Sequence, residues 1–319
     1  MTASADIAHA VSLLRAGELV AFPTETVYGL GADARNAGAI ARIYALKRRP
    51  SGHPLIVHLA AATALPAWAR QVPVAADRLA RRFWPGPLTL ILPRAAGVAD
   101  ALTGGQDSVG LRVPAHPLAQ ALLVAFGDGI AAPSANRYGR VSPTSAAHVR
   151  EEFGGETPFV LDGGECAVGL ESTIVSFVGE PLLVRPGGIS LPEIEAVIGP
   201  LRRAADGEGP RAPGTTRAHY APATRLTIVA PEALEAAAGP RSAVLARRAR
   251  PAGYAGALWL DGGEDPARYA HDLYANLRRL DHAAADAIVV EAVPADERWD
   301  AVRDRLRRAA AACGAEDSA

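Results

Sequence analysis

The sequence predicts a mixed α/β protein, α+β-like in combining parallel and antiparallel strands, with a second and smaller α/β domain behind it. Short apolar runs alternate with helical patterns over the first two hundred residues. A stretch poor in apolar residues and rich in Pro and Gly follows, and none of the six phenylalanines lies beyond Phe177. A chain of 319 residues is also long enough for two domains.

The elements of the first domain follow from local patterns. Ile7, Val11 and Leu14 lie on one face of a helix, and a Gly-Glu-Pro turn at 179–181 predicts a hairpin over 173–185. We predict helices over 7–16, 37–46, 75–83, 117–126 and 145–153. We predict strands over 19–22, 55–59, 88–92, 109–113, 130–132, 159–162, 173–177 and 182–185.

The domain boundaries follow from the change in composition. We assign 1–201 to a first domain, 202–224 to a Pro/Gly-rich linker and 225–319 to a second domain. Strands over 226–229, 243–246, 257–260 and 287–290 alternate there with helices over 266–280 and 298–311. Tyr269, Leu273, Leu277 and Leu280 form one helical stripe, so the second domain is predicted to be a small Rossmann-like fold.

Composition excludes several classes of protein. With 33 basic and 34 acidic residues the net charge is −1, which disfavours a general nucleic-acid binder. Cys166 and Cys313 are the only cysteines, too few for a disulfide scaffold or a cysteine zinc cluster. The first residues lack the pattern of a secretory signal, and no apolar run approaches the roughly 20 residues that span a bilayer. We therefore expect a cytoplasmic protein with no membrane contact.

Lysine usage singles out one position. Of the 33 basic residues only Lys47 is a lysine, and arginine takes every other basic position. A lysine that survives such a bias indicates a site that needs a compact ammonium rather than a planar guanidinium. The alternative is a surface lysine retained by chance.

Polar strings at the ends of predicted strands indicate one cleft. They supply Ser, Thr, Asn, Lys and Arg donors on turns set by Pro and Gly, which suits a polyanion such as a nucleoside triphosphate. Signatures of nucleophilic hydrolases, Walker loops, dinucleotide folds and zinc proteases are missing. Each string alone is more often structural, but eight in one domain favour a site. They span 23–30, 47–54, 83–89, 108–114, 132–136, 142–144, 171–173 and 185–188.

These strings together resemble the YrdC/Sua5 family of threonylcarbamoyl-AMP synthases. The most specific are Pro-Thr-Glu-Thr-Val-Tyr-Gly-Leu from Pro23, Lys-Arg-Arg-Pro from Lys47, Trp-Pro-Gly-Pro-Leu-Thr from Trp84, Ala-Pro-Ser-Ala-Asn from Ala132 and Glu-Ser-Thr-Ile-Val from Glu171. The His-Tyr-Ala-Pro string at 219–222 is similar to the linker of the longer Sua5 form. The resemblance implies a YrdC-type twisted mixed sheet with helices, followed by a Sua5 C-terminal domain.

The resemblance also implies a reaction. L-Threonine, bicarbonate or CO2, and ATP would give L-threonylcarbamoyl-AMP and pyrophosphate, so the chain would be a nucleotidyltransferase. A separate transferase complex would then use the product to make N6-threonylcarbamoyladenosine in ANN-decoding tRNAs. Stable nucleic-acid binding is not required of this chain. Mg²⁺ is expected with ATP, held by phosphate oxygens and water rather than by dedicated protein ligands.

Site residues carry over by position from the resemblance. Lys47 and Arg49 are the predicted catalytic cations, holding the phosphates and the carbamate. Predicted ATP contacts are Arg49, His53, Ser108, Ser134, Asn136, Ser142, Arg185 and Tyr220, with His219 beside the last of these in the linker. Predicted threonine contacts are Thr26, His58, Arg112, Ala132 and Ser172, where Arg112 suits a carboxylate.

The chain departs from the family pattern at three places. Arg48 replaces a common glycine, His53 stands where a small polar residue such as Asn is usual, and 215–218 replaces a more basic and aromatic stretch. Two alternatives stay open beside the synthase. One is the carbamoyltransferase of hydrogenase maturation, for which the cysteines are too few; the other is a non-catalytic RNA-binding module, disfavoured by charge and by 5% aromatic residues.

Overall fold

The computed structural model describes residues 3–205 and 207–313, and the chain divides into two compact units. The first unit comprises 1–138, 143–167 and 171–215, and the second comprises 139–142, 168–170 and 216–319. Within the described ranges no helix is both long and apolar enough to cross a membrane. Each unit has its own sheet.

The first unit is built on a sheet to which the described residues contribute ten strands. These are β1 (Val20–Phe22), β2 (Gly29–Asp33), β3 (Ile56–His58), β4 (Leu88–Pro93), β5 (Ser108–Arg112), β6 (Ile130–Ala131), β7 (Phe159–Val160), β8 (Thr173–Ser176), β9 (Leu182–Arg185) and β10 (Arg202–Arg203). Their spatial order is β10-β9-β8-β4-β5-β3-β6-β2-β1-β7. Parallel pairs such as β3 with β5 stand beside antiparallel pairs such as β8 with β9, so the mixed sheet and the hairpin are confirmed.

Helices cover this sheet with apolar residues. They are α1 (Ala3–Arg15), α2 (Ala37–Lys47), α3 (Val74–Phe83), α4 (Asp100–Thr103), α5 (Pro117–Phe126), α6 (Ala146–Phe153) and α7 (Leu191–Ile198). Short 3-10 turns lie at Ala62–Ala67 and Gly154–Glu156. The Asn36 side chain caps α2 by accepting from the N–H groups of Gly38 and Ala39, and Gly127 ends α5 in the left-handed conformation.

Four elements of this unit, β2, α4, α7 and β10, were not predicted from the sequence, and β10 lies in the stretch assigned to the linker. Gly29–Asp33 forms β2, although its glycines are typical of a loop. Glycine is required in this strand because a Cβ at Gly31 would approach Phe22 and Ile130 within 3.0 Å. Leu191–Ile198 forms α7, which begins with a capping box between Ser190 and Glu193. The other predicted elements of this unit are found within two residues of their expected ends, except that α1 begins at Ala3, four residues before its predicted start.

The second unit holds a sheet of four parallel strands among the described residues. The strands are β11 (Leu226–Val229), β12 (Ser242–Ala246), β13 (Leu258–Asp261) and β14 (Ala287–Glu291), in the order β11-β14-β12-β13. The helices are α8 (Leu234–Ala237), α9 (Pro266–Asp281) and α10 (Asp300–Cys313), with 3-10 turns at Pro231–Ala233 and Glu297–Trp299. Tyr269, Leu273, Leu277 and Leu280 are all buried, as their spacing on α9 predicts. The predicted Rossmann-like architecture is therefore present.

Candidate active site

Lys47 ends α2 with its side chain buried inside the first unit, 1% exposed. Arg48 turns the chain out of the helix in the left-handed conformation, at φ 51°. The Lys47 ammonium donates to the carbonyl oxygen of Ser134 at 2.6 Å and to that of Asn136. The side chain therefore joins the end of α2 to the string that follows β6.

Burial makes the Lys47 ammonium easier to deprotonate than that of an exposed lysine, because it lowers its pKa. Removal from water lowers its pKa well below 10.5, the positive charge of Arg49 lowers it further, and the charge of Glu152 opposes the shift. Its two recorded acceptors are neutral carbonyl groups. A cation held in this way is stabilised when an anion comes to it, which is the behaviour of a phosphate or carboxylate site.

Arg49 and His53 lie around the same loop. The Arg49 guanidinium, 7% exposed, donates to the carbonyl of Pro54 at 3.0 Å and lies 5.5 Å from the centre of the Tyr138 ring. His53 Nδ1 is 3.3 Å from the Tyr138 hydroxyl. Burial, Arg49 and Arg211 together lower the pKa of His53, so its imidazole is neutral at pH 7. Tyr138 in turn donates its backbone N–H to the carbonyl of Lys47 at 2.8 Å.

Arg112, at the end of β5, has its guanidinium fixed by three neighbours. It donates to Gly86 O at 3.3 Å, to Thr26 Oγ1 at 2.8 Å and to Glu25 Oε1 at 2.6 Å. The second Glu25 oxygen accepts the Ala115 N–H at 2.8 Å. Burial alone would raise the pKa of Glu25, but the charge and hydrogen bond of Arg112 outweigh it, so this pKa lies below 4.5.

Strand pairing brings His58, another predicted threonine contact, beside Arg112. His58 is its register partner on β3 and pairs on its other side with Ile130 of β6, two residues before Ala132. His58 is 4% exposed, and its Nδ1 has no hydrogen-bond partner in the part of the chain that the structure describes. Burial, helped by the charge of Arg112, lowers the pKa of His58 to about 3. The imidazole is thus a buried neutral group.

Ser172 and Arg185 meet at the end of the hairpin. Arg185 donates through Nε and a terminal nitrogen to the carbonyl of Ser172, at 3.2 and 2.8 Å. The Ser172 hydroxyl lies 2.8 Å from Thr89 Oγ1 on β4. Gly187 passes so close to this place that a Cβ there would lie 2.4 Å from backbone atoms of 171–173. These contacts fix Ser172 and Arg185 with little freedom.

Ser108 lines a small cavity together with Thr89 of β4 and Ile174 of β8. The segment 211–213 closes the cavity: Ala212 packs on Ile174, and the Pro213 carbonyl accepts from Arg185 at 2.7 Å. The first half of the predicted linker is thus packed within the first unit, which ends at Thr215.

Ser142 and Tyr220 belong to the second unit. Tyr220 is 1% exposed, adopts φ 62°, stacks on Tyr274 at 5.8 Å between centres and has the Arg305 guanidinium 5.1 Å from its ring. The neighbouring His219 is also buried, and its backbone N–H donates to the carbonyl of Arg308. The predicted contact of Ser142 and Tyr220 with ATP stays a prediction.

Three groups of predicted residues are therefore assembled in the first unit, and one further residue joins them. In the first group, residues 134–138 contact Lys47, Arg49 and His53. In the second, Arg112 contacts Thr26 and pairs with His58 across β5 and β3. In the third, Ser172 contacts Arg185. The residue that sequence reasoning missed is Glu25. A signal existed, because Glu25 is the only carboxylate in the string 23–30.

The donor set has a clear chemical character. It consists of ammonium, guanidinium, imidazole, hydroxyl and amide groups, and the one carboxylate at its Arg112 end is paired. Among residues 3–205 and 207–313, no group of three or more His, Cys, Asp or Glu side chains is placed to hold a metal ion. Such a set suits ligands that bring anionic oxygens of their own.

The fold and this donor set define the class: an α/β protein whose first unit holds buried cationic side chains and a polar cluster around Arg112. Comparison with known proteins agrees. The Sua5/YciO/YrdC family model, described as "Telomere recombination", matches residues 12–187, and a model described as "Threonylcarbamoyl-AMP synthase, C-terminal domain" matches 189–311. The chain belongs to the Sua5 family.

Individual relatives cover almost the whole chain. A threonylcarbamoyl-AMP synthase of Pyrococcus abyssi is 41% identical over 94% of this chain and 92% of its own length. One from Bacillus subtilis is 41% identical over 95% and 92%. The crystal structure of P. abyssi Sua5 complexed with L-threonine superposes with a TM-score of 0.88 at 39% identity, covering 96% of this chain and 94% of that one. The fold prediction and the resemblance are confirmed.

Proposed function

We propose that this chain synthesises L-threonylcarbamoyl-AMP from L-threonine, bicarbonate or CO2, and ATP, releasing pyrophosphate. Near-full-length similarity to curated synthases and to the threonine complex supports the enzyme class and the amino-acid substrate. The observation in the structure that carries the proposal is the buried Lys47. Its ammonium donates hydrogen bonds to two carbonyl oxygens, and the charge of Arg49 is close by.

The chemistry requires positioning and positive charge rather than a covalent nucleophile. The threonine amine and CO2 form a carbamate, whose oxygen attacks the α-phosphorus of ATP while the bond to the pyrophosphate oxygen breaks. Negative charge on the phosphate oxygens is then stabilised by cations that are already in place. Lys47 and Arg49 supply these cations, and both are held by backbone carbonyls before any ligand arrives.

The ATP end extends from these cations. Near Lys47, this end comprises His53, Ser134 and Asn136. It continues with Ser108 and Arg185, beside the cavity that the 211–213 segment closes. ATP enters as its Mg²⁺ complex, with the metal on phosphate oxygens and water, in keeping with a donor set that is cationic and hydroxylic.

The threonine end is the Arg112 cluster. Arg112 offers N–H groups to the carboxylate, while Thr26, His58 and Ser172 offer hydroxyl and imidazole partners and Ala132 offers backbone. The neutral state of His58 lets it accept as well as donate. The product then passes to a threonylcarbamoyl transferase complex that modifies ANN-decoding tRNAs.

Product analysis tests the proposal. Purified full-length protein is incubated with ATP, Mg²⁺, L-threonine and ¹³C-bicarbonate, and the nucleotide products are identified by mass spectrometry. The proposal predicts threonylcarbamoyl-AMP that carries the label and is absent when threonine is omitted. AMP or ADP formed without threonine, with no labelled adduct, would contradict it.

A further inference from the structure

Glu25 has two side-chain interactions, and both lie outside the strand pairings of the sheet. Its Oε1 accepts from Arg112 at 2.6 Å, its Oε2 accepts the Ala115 N–H at 2.8 Å, and the side chain is about nine-tenths buried. It lies in the connection between β1 and β2, and 87 residues separate it from Arg112. The pair is thus a tertiary contact between the β1–β2 connection and the last residue of β5.

The pair restricts how Arg112 can present its guanidinium. Gly86 O, Thr26 Oγ1 and Glu25 Oε1 each engage a different nitrogen, so the plane of the group is fixed. Each terminal nitrogen carries two hydrogens, and these bonds use one of each. Each terminal nitrogen therefore keeps one N–H, in fixed orientation, that these three bonds do not use.

The pair also sets the local charge. With Glu25 ionised and His58 neutral, the Arg112 cluster has no net charge, whereas the other end of the site has Lys47 and Arg49. An uncompensated Arg112 would attract any anion, including phosphate. A compensated one favours a zwitterion, which offers a carboxylate to Arg112 and carries no net charge.

We propose that Glu25 is a positioning and specificity residue for the amino-acid end: it orients Arg112 for the substrate carboxylate and cancels its charge, so that this end selects a zwitterionic amino acid over inorganic anions. The inference rests on the proposed function, because it takes threonine as the amino acid. Glu25 itself is not a catalytic residue, since it acts through Arg112.

Glu25→Gln is the informative substitution because it removes the charge while keeping the shape. Its amide can present an oxygen to Arg112 or to the Ala115 N–H, but the other position then receives an NH2 group and one hydrogen bond is lost. Glu208→Gln is a matched control. Glu208 likewise accepts from an arginine, Arg202, and from one backbone N–H, that of Ala205, but at an exposed place.

The experiment compares wild type, Glu25→Gln, Glu25→Asp and Glu208→Gln. Steady-state pyrophosphate release gives KM for L-threonine and ATP, calorimetry gives threonine affinity without turnover, and inorganic phosphate is tested as an inhibitor. For Glu25→Gln we expect threonine KM and Kd to rise about tenfold, as a loss of about 1.4 kcal/mol would produce, with ATP KM and kcat within about twofold. Phosphate should become competitive with threonine, and Glu25→Asp should recover part of the affinity.

Two results would overturn the inference. One is a threonine Kd in Glu25→Gln equal to that of wild type and of Glu208→Gln. The other is that Glu25→Gln and Glu25→Asp are impaired to the same extent, with a lower kcat, a higher KM for ATP and a lower melting temperature, and that phosphate does not compete with threonine. That result would mean that the pair has a purely structural role. Absence of threonine-dependent turnover in the wild type, with threonine binding retained, would instead reject the proposed function alone.

Discussion

Replacing Lys47 by arginine keeps the positive charge but replaces the compact ammonium by a larger, planar guanidinium. The ammonium is 1% exposed and lies 2.6 Å from the Ser134 carbonyl, so no space is left for a planar group with five donors. Forcing extra atoms into a packed interior costs roughly 1–3 kcal/mol. The guanidinium must therefore leave the position where it can reach both carbonyls and a phosphate oxygen.

The magnitude follows from what a fixed donor contributes to a transition state. Losing one preorganised group of this kind costs about 2.7–4 kcal/mol, or 10²–10³ in kcat. We expect Lys47→Arg to lose about a hundredfold in kcat, and Lys47→Met to lose at least as much, since it also removes the charge. Lys47→Met should change stability little, because the lost hydrogen bonds are offset by removal of a buried amine whose charged form burial disfavours.

The assay is pyrophosphate release at saturating substrates, with melting temperatures measured in parallel. Arg48→Lys is the matched control, since Arg48 is the next residue, is exposed and makes the reverse exchange. It should keep activity within about twofold. Near-wild-type turnover by a folded Lys47→Arg would refute the argument that this position needs an ammonium.

Two further predictions concern His58 and Gly187. Because the pKa of buried His58 is about 3 against 6.5 when unfolded, the unfolded state binds an extra proton between these values, so the free energy of unfolding falls as pH falls below 6.5. His58→Gln should weaken that decline by up to about 1.4 kcal/mol per pH unit between pH 6 and 4 in chemical denaturation, and an unchanged slope would contradict the assignment. Gly187→Ala puts a Cβ 2.4 Å from backbone atoms of 171–173, so it should displace Ser172 and Arg185 and lower kcat/KM at least tenfold. Gly155→Ala, where a Cβ has nothing within 4 Å, should not change activity, and equal activity of the two variants would show that the close approach is unimportant.

Local pattern predicts most of the elements but not how they pair. Apolar runs located β3, β4, β5 and β8, whereas the glycines of β2 hid a strand whose pairing depends on Phe22 and Ile130 packing against it. In the second unit, β14 lies between β11 and β12. No local pattern encodes that insertion, because the pairing is decided by burial of apolar faces along the whole domain.

The site shows the same division between local and distant information. The single lysine and the resemblance identified Lys47, Arg49 and Arg112. Glu25 was not identified, because its role depends on a partner 87 residues away in the chain. The pKa of His58 was equally inaccessible, since it comes from burial beside Arg112 rather than from the residue itself.

Pyrophosphate release by the purified full-length protein tests the central claim most directly. ATP and Mg²⁺ are supplied throughout, and L-threonine and bicarbonate are added separately and together, with L-serine as the comparison amino acid. The account predicts release only when both co-substrates are present, and faster release with threonine than with serine. Release that is independent of threonine, or no release from a protein that folds and binds ATP, would contradict it.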